Sequence, residues 1–223
     1  MIFVIRPEPG LQETLGRGRE MRLPILGRPL FEVVPLAWNA PPATEFDALL
    51  IGSANAVRNA GPALEVYRGL PVHAVGEATA VAAREAGFNV AHIGAGGLQQ
   101  VVDAARGEIR FLRLAGAEHV ALKHSRRITI TVREVYQVRA LPITGSDEVS
   151  LRAGQPVVLI HSAAAAQHFA AECDRRGIDR GAVALACIGP RVAAAAGKGW
   201  KAIASADVPN DATLLSLAAD MCQ

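Results

Sequence analysis

Side chains able to do chemistry gather in a few short turns of this chain, each following an apolar run. The turns are Arg6-Pro7, Gly52-Ser53-Ala54-Asn55, Gly76-Glu77-Ala78-Thr79, residues 94–97, residues 113–116, His161-Ser162-Ala163 and Gly189-Pro190-Arg191. Glycines and other small residues dominate, so ligand atoms can approach the backbone closely. Arginines recur, and Glu77 is the main carboxylate. Such a rim suits an anionic ligand held by backbone amides, helix N-termini and a few guanidiniums. Arg6 and Arg113 occupy matching strand ends, which favours anion contact, with ion pairs on the lobe surface as the alternative role. Ser53 and Ser162 stand where a helix N-cap stands, and capping alone explains both. Neither lies in a Gly-x-Ser-x-Gly elbow, which argues against a hydrolase nucleophile. Gly76 and Gly189 read most simply as turn glycines. Tyr136 ends a strand, where half-buried packing is the plainer alternative to chemistry.

Other signals carry little. Gly94-Ala95-Gly96-Gly97 lacks the third glycine of a dinucleotide fingerprint and follows a late strand, and no Gly-x-x-x-x-Gly-Lys-Ser/Thr phosphate loop occurs. His119 and His124 are off one helical face, with no cysteine or carboxylate to complete a metal site. The basic run 123–127 reads as a solvated face. No metal and no cofactor is expected.

These turns need elements to position them. Short apolar runs at residues 2–5, 28–35, 48–51, 71–75, 90–93, 110–114, 128–136, 157–160, 184–188 and 201–204 read as strands buried on both faces. Helical spacing fills the stretches between them, among them residues 54–67, 78–86, 163–176 and 192–197. That alternation predicts an α/β protein with parallel sheets covered by helices. The chain also resembles itself. Ile51-Gly-Ser53-Ala54 is echoed by Ile160-His-Ser162-Ala163, and Val75-Gly76-Glu77 by Ile188-Gly189-Pro190. Phe3-Val4-Ile5-Arg6 is echoed by Phe111-Leu112-Arg113, each leading through a helix to a strand.

Two interleaved copies follow: a lobe of residues 1–35 and 143–223, a lobe of residues 39–137 inserted in it, and linkers at 36–38 and 138–142. Residues 139–155 are expected to make the return crossing. Two crossings make a hinge that can close around a ligand.

The chain has 223 residues, 51% of them hydrophobic, enough for one large or two compact domains. Its 23 Lys+Arg against 21 Asp+Glu leave a net charge of +2, too small to announce a nucleic-acid partner. No run approaches the roughly 18 apolar residues of a membrane span, and the N-terminus does not read as a secretory signal. Cys173, Cys187 and Cys222 have no paired spacing, which suits a reducing cytoplasm. A cytoplasmic monomer is expected.

With these pieces in order, the chain resembles the uroporphyrinogen-III synthase family over nearly its whole length. The resemblance rests on Arg6-Pro7 after the first strand, residues 46–57 with Ser53-Ala54-Asn55-Ala56-Val57, residues 74–80, Leu112-Arg113 through Gly116, Val135-Tyr136, Ile188-Gly189-Pro190, and the tail Asn210-Asp211-Ala212-Thr213-Leu214-Leu215. It implies two flavodoxin-like lobes with parallel sheets, an interleaved chain and a two-segment hinge. It implies a lyase that cyclises hydroxymethylbilane, a linear tetrapyrrole with eight carboxylates, to uroporphyrinogen III, with loss of water and inversion of ring D. Tyr136 matches the family tyrosine that assists loss of the hydroxyl. Ser53, Ala54 and Asn55, with Ser162 and Ala163, match turns lining the cleft, as do Gly76, Glu77 and Thr79 and the turn Gly189-Pro190. Arg6 and Arg113 would meet substrate carboxylates.

The chain departs from the family pattern in four places. Gly52 and His161 stand where threonine often precedes the serine, and Arg191 and Val192 stand where threonines often follow the Gly-Pro turn. Arg191 would replace those hydroxyls by pairing with a carboxylate. Without a strong catalytic constellation, a non-catalytic two-lobe binding protein for a small anion is the main alternative. A nucleotide-binding enzyme would need a phosphate loop, and an interaction module an apolar patch.

Overall fold

The structure, a computed structural model, describes residues 1–222. In chain order the elements are β1 (Ile2–Val4), α1 (Gly10–Glu20), β2 (Ile25–Gly27), β3 (Phe31–Pro35), β4 (Ala48–Ile51), α2 (Ala54–Asn59), β5 (Val72–Val75), α3 (Glu77–Glu85), β6 (Val90–Gly94), α4 (Leu98–Ala104), β7 (Ile109–Gly116) and β8 (Ile128–Ala140). They continue with α5 (Gly145–Arg152), β9 (Val157–Ile160), α6 (Ala163–Arg176), β10 (Ala184–Cys187), α7 (Pro190–Ala195), β11 (Ala202–Ser205) and α8 (Asp211–Asp220). The chain divides into two compact units, Met1–Glu32 with Arg139–Gln223, and Val33–Val138.

The first unit holds a five-stranded sheet in the order β11-β10-β9-β1-β2, with every neighbour parallel. Its strands alternate side chains between two faces, and both faces are apolar. Phe3, Val158, Ile160 and Leu185 pack against Leu151 of α5 and Phe169 and Cys173 of α6. Ile2, Val4, Val157 and Leu159 pack against Leu11 and Leu15 of α1 and Leu214, Leu215 and Ala218 of α8. The second unit holds a six-stranded sheet in the order β3-β8-β7-β4-β5-β6, in which β4, β5, β6, β7 and β8 pair in parallel. Leu49, Ile51, Leu112 and Leu114 meet α2 and α3 on one side, and Leu50 and Phe111 meet Val101 and Val102 of α4 on the other. The architecture is α/β, with one parallel sheet and a second in which the five strands β4 to β8 are parallel.

Four expectations are corrected. The strand expected over 28–35 begins only at Phe31, as β3, after Pro29, which cannot donate to a ladder; a separate strand not expected from the sequence, β2, precedes it at Ile25–Gly27. The helix expected over 54–67 stops at Asn59, because Gly61 takes a φ of 68° and Pro62 follows; a 3-10 helix runs over Pro62–Tyr67. The stretch expected to be a return crossing contains α5. Its start is set by a capping box in which the Thr144 hydroxyl accepts from the Asp147 N–H and the Asp147 carboxylate accepts from the Thr144 N–H. Finally, no helix links β7 to β8: residues 117–127 form no regular element. The Arg113 guanidinium donates to the Val120 carbonyl at 2.7 Å, holding that carbonyl in a bond a helix would have made internally. Among the described residues no helix is long and apolar enough to cross a membrane.

Candidate active site

Open parallel sheets take ligands at the carboxyl ends of their strands, where the strand order reverses. In the second unit that point lies between β4, which leads on to β5 and β6, and β7, which leads to β8. A cavity of about 470 Å³ opens there, and its lining includes Ser53, Gly97, Gln99, Arg113, Gly116, His119 and Tyr136. Arg113 is only 6% exposed. One of its nitrogens donates to Val120, while its buried Nε has no partner. Burial pushes its pKa down, and the neighbouring Tyr136 opposes that. A buried cation short of acceptors favours an incoming anion, because an unmet charged donor is costly.

Tyr136 is half-buried against the core and lies beside Gly116. His119 Nδ1 donates to the Gly116 carbonyl at 3.1 Å and sits 3.5 Å from the Glu134 carboxylate. The Ser53 hydroxyl caps α2 by accepting from the Asn55 N–H at 3.2 Å. Beside it, a β-carbon at Gly52 would lie 2.8 Å from Leu98 Cδ1, so Leu98 covers the space that a threonine there would use.

In the first unit the strand order reverses between β1 and β9. A carboxylate of the chain itself occupies this place. Asp211, at the first position of α8, is 8% exposed. It accepts from Arg6 at 3.2 Å, from the Thr14 hydroxyl at 2.7 Å and from His161 Nε2 at 3.1 Å. Burial pushes its pKa up, but the hydrogen bonds from His161 and Thr14 and the Arg6 charge outweigh that and hold it at about 2. His161 Nδ1 is buried without a partner. Arg6 therefore has a carboxylate partner within the chain, whereas Arg113 has the Val120 carbonyl.

Of the residues singled out from sequence, Ser53, Arg113 and Tyr136 line this switch-point cavity of the second unit. Ala54 and Asn55 follow Ser53 at the start of α2. Gly76, with a φ of 75°, caps α3; Glu77 is exposed and paired with Arg84 at 2.8 Å, and Thr79 is buried at 4% exposure. In the first unit, Ser162 and Ala163 are exposed at the start of α6, where the Ser162 hydroxyl accepts from the Ala165 N–H. Gly189 caps α7, Pro190 begins it, and Arg191 is exposed, with no ion pair among the described residues. The reading by sequence held Gly116 only as the end of the turn 113–116, and it missed Gln99 and the acceptor role of Asp211. The last was within reach, since Asn210-Asp211 heads a capped helix, but its partner Arg6 lies at the other end of the chain. Among the described residues no group of three or more His, Cys, Asp or Glu could hold a metal ion.

Comparison with known proteins adds three findings. A solved uroporphyrinogen-III synthetase from Helicobacter pylori superposes with a TM-score of 0.68 at 19% identity, covering 99% of this chain and 98% of the other. A mutant uroporphyrinogen III synthase from the extremely thermophilic bacterium Thermus thermophilus gives a TM-score of 0.58 at 16% identity, covering 100% and 99%. At such identities these likenesses speak for the fold. No curated protein sequence matches. The family model described as uroporphyrinogen-III synthase HemD matches residues 24–216. That match spans elements of both units, including both switch-point turns, and by it the chain belongs to the uroporphyrinogen-III synthase family.

Proposed function

We propose that this enzyme is a lyase that closes hydroxymethylbilane to uroporphyrinogen III in tetrapyrrole biosynthesis. The observation that supports the reading best is the cavity at the second unit's switch point, where Arg113, Ser53 and Tyr136 meet in a chain of this family. In the first step the Tyr136 hydroxyl donates a proton to the departing substrate hydroxyl, which leaves as water, and the terminal ring becomes an azafulvene cation. The far pyrrole then attacks through its substituted carbon. The resulting spiro intermediate breaks and recloses with ring D inverted, and the last proton passes to the phenolate left on Tyr136, restoring both the aromatic ring and the donor. Without an enzyme the same chain closes to the uninverted isomer, so the task is to hold two flexible ends in one attack geometry. Positioning of that kind supplies up to about 7–11 kcal/mol in favourable cases.

Arg113 anchors a substrate carboxylate in this scheme, and the amides of the capped turns at Ser53, Gly76, Ser162 and Gly189 supply further donors. Arg191, exposed at the start of α7, is a second guanidinium for the eight carboxylates. The enzyme acts as a cytoplasmic monomer; sedimentation at 23.4 kDa tests the monomer, and cell fractionation tests the location.

A coupled assay tests the reaction. Hydroxymethylbilane, generated in place by its own synthase, is incubated with and without the protein, oxidised, and resolved into isomers. A shift from isomer I to isomer III supports the reading. Isomer I alone from folded protein rejects it in favour of a non-catalytic anion-binding member.

A further inference from the structure

We infer that Gly116 is a positioning residue for Tyr136: the bare backbone at the end of β7 is the surface on which the phenol is seated at the cavity wall. The inference rests on the reading of Tyr136 as proton donor and adds what holds it. Gly116 does not belong to the glycines with positive φ, so backbone conformation does not demand a glycine here. Space does. A β-carbon built at Gly116 would lie 2.8 Å from Tyr136 Cζ, 2.9 Å from Cε2 and 3.0 Å from the hydroxyl oxygen, closer than non-bonded atoms tolerate.

The ladder explains how the ring comes to lie there. Along β7 and β8 the register runs without a break from Ile109 opposite Ile128 to Ala115 opposite Glu134, and then slips, so that Gly116 faces Tyr136. Val135 is the extra residue. Its side chain is fully buried and its carbonyl accepts from the Leu36 N–H at 2.9 Å. Such a bulge re-aims the side chain that follows it. The backbone on both sides is then pinned: the Ala117 N–H donates to the Tyr136 carbonyl at 2.9 Å, and His119 donates to the Gly116 carbonyl at 3.1 Å. With the strands tied, a methyl group at position 116 must push the ring, and the hydroxyl moves with it.

Three variants test this. Gly116→Ala should lower kcat for isomer III by about 10- to 100-fold, the range expected of an ångström-scale misplacement. KM should stay within about 3-fold, since uniform binding is untouched. In a Tyr136→Phe background the same change should cost less than about 2-fold, because the hydroxyl it misplaces is gone. Where Tyr136→Phe itself lowers kcat, equal losses in both backgrounds, or an unchanged kcat in Gly116→Ala, would overturn the inference.

A readout independent of activity separates this from the reading of Tyr136. The chain has two tyrosines, so fluorotyrosine labelling gives two fluorine resonances, assigned with Tyr136→Phe. Gly116→Ala should move the Tyr136 resonance and leave that of Tyr67; an unmoved Tyr136 resonance refutes the seating. If the resonance moves while Tyr136→Phe keeps full kcat, the seating stands and the proton-donor role falls. Should Gly116→Ala fail to fold, adding Tyr136→Ala should restore folding, and failure to do so counts against the clash.

Discussion

Arg113 lies in a strand beside a switch point and Arg6 just beyond one, yet they differ in company. Arg113 is level with Leu50, three residues before the capping Ser53. Arg6 lies two residues beyond Val4, the partner of Leu159, and so is level with His161, one residue before the capping Ser162. The deeper arginine is buried beside a cavity, and the outer one reaches Asp211. Arg113→Lys loses the planar fork and its bond to Val120, and should raise KM for hydroxymethylbilane about 10-fold or more, measured at low salt. Asp211 carries a stability prediction. Its folded pKa of about 2 lies below the ordinary 3.8, so its contribution is present in full above about pH 4 and is lost as pH falls through 2. The difference corresponds to about 2 kcal/mol. Urea midpoints should drop between pH 4 and 2, and Asp211→Asn should flatten that portion of the slope. The variant should also be less stable at pH 7, because Arg6 loses its charged partner and the amide leaves one acceptor oxygen for Arg6, Thr14 and His161.

Among the elements, α5 and the β7–β8 connection depart furthest from simple alternation. α5 is eight residues long, too short to persist without help, and its capping box and the burial of Leu151 provide it. Thr144→Ala should cost about 1 kcal/mol, lowering Tm by about 2–4 °C for a chain of this size, with kcat and KM unchanged. Calorimetry and the isomer assay together check that. The β7–β8 connection joins two parallel strands through an irregular segment rather than a helix. Glu118, His119, Val120 and Leu122 of that segment line the cavity beside Arg113 and Tyr136.

For the molecule as a whole, a substrate with eight carboxylates and a protein of net charge +2 make local rather than global electrostatics decisive. Product bound only by the folded state should stabilise it by about 2.7 kcal/mol at 100 times Kd, a Tm rise of roughly 5–10 °C. On the proposed guanidinium–carboxylate contacts, the rise should shrink between about 0.05 and about 0.5 M salt. Thermal unfolding with uroporphyrinogen III across that salt range is the measurement. A rise that does not respond to salt would mean that guanidinium–carboxylate contacts carry little of the binding.

Local chemistry and periodicity determined a good deal. Apolar runs such as residues 48–51 and 157–160 could only be buried strands, small polar turns after them had to start helices, and Ser53 and Ser162 were caps whatever else they do. The alternation made the class α/β, and the echo between Ile51-Gly-Ser53 and Ile160-His-Ser162 marked the two switch-point turns. Short-range breakers were harder to weigh: Pro29 and Gly61-Pro62 each cut an element that periodicity alone would continue. What tertiary structure decided is everything that depends on partners far apart in the chain. Whether an arginine is free or spent is settled by a carboxylate 205 residues away, as for Arg6 and Asp211. Whether a glycine is a turn or a seat is settled across a strand pair, by a one-residue slip at Val135 that periodicity does not carry. Backbone preference acts over a few neighbouring residues, whereas burial, charge pairing and close approach are properties of the packed chain.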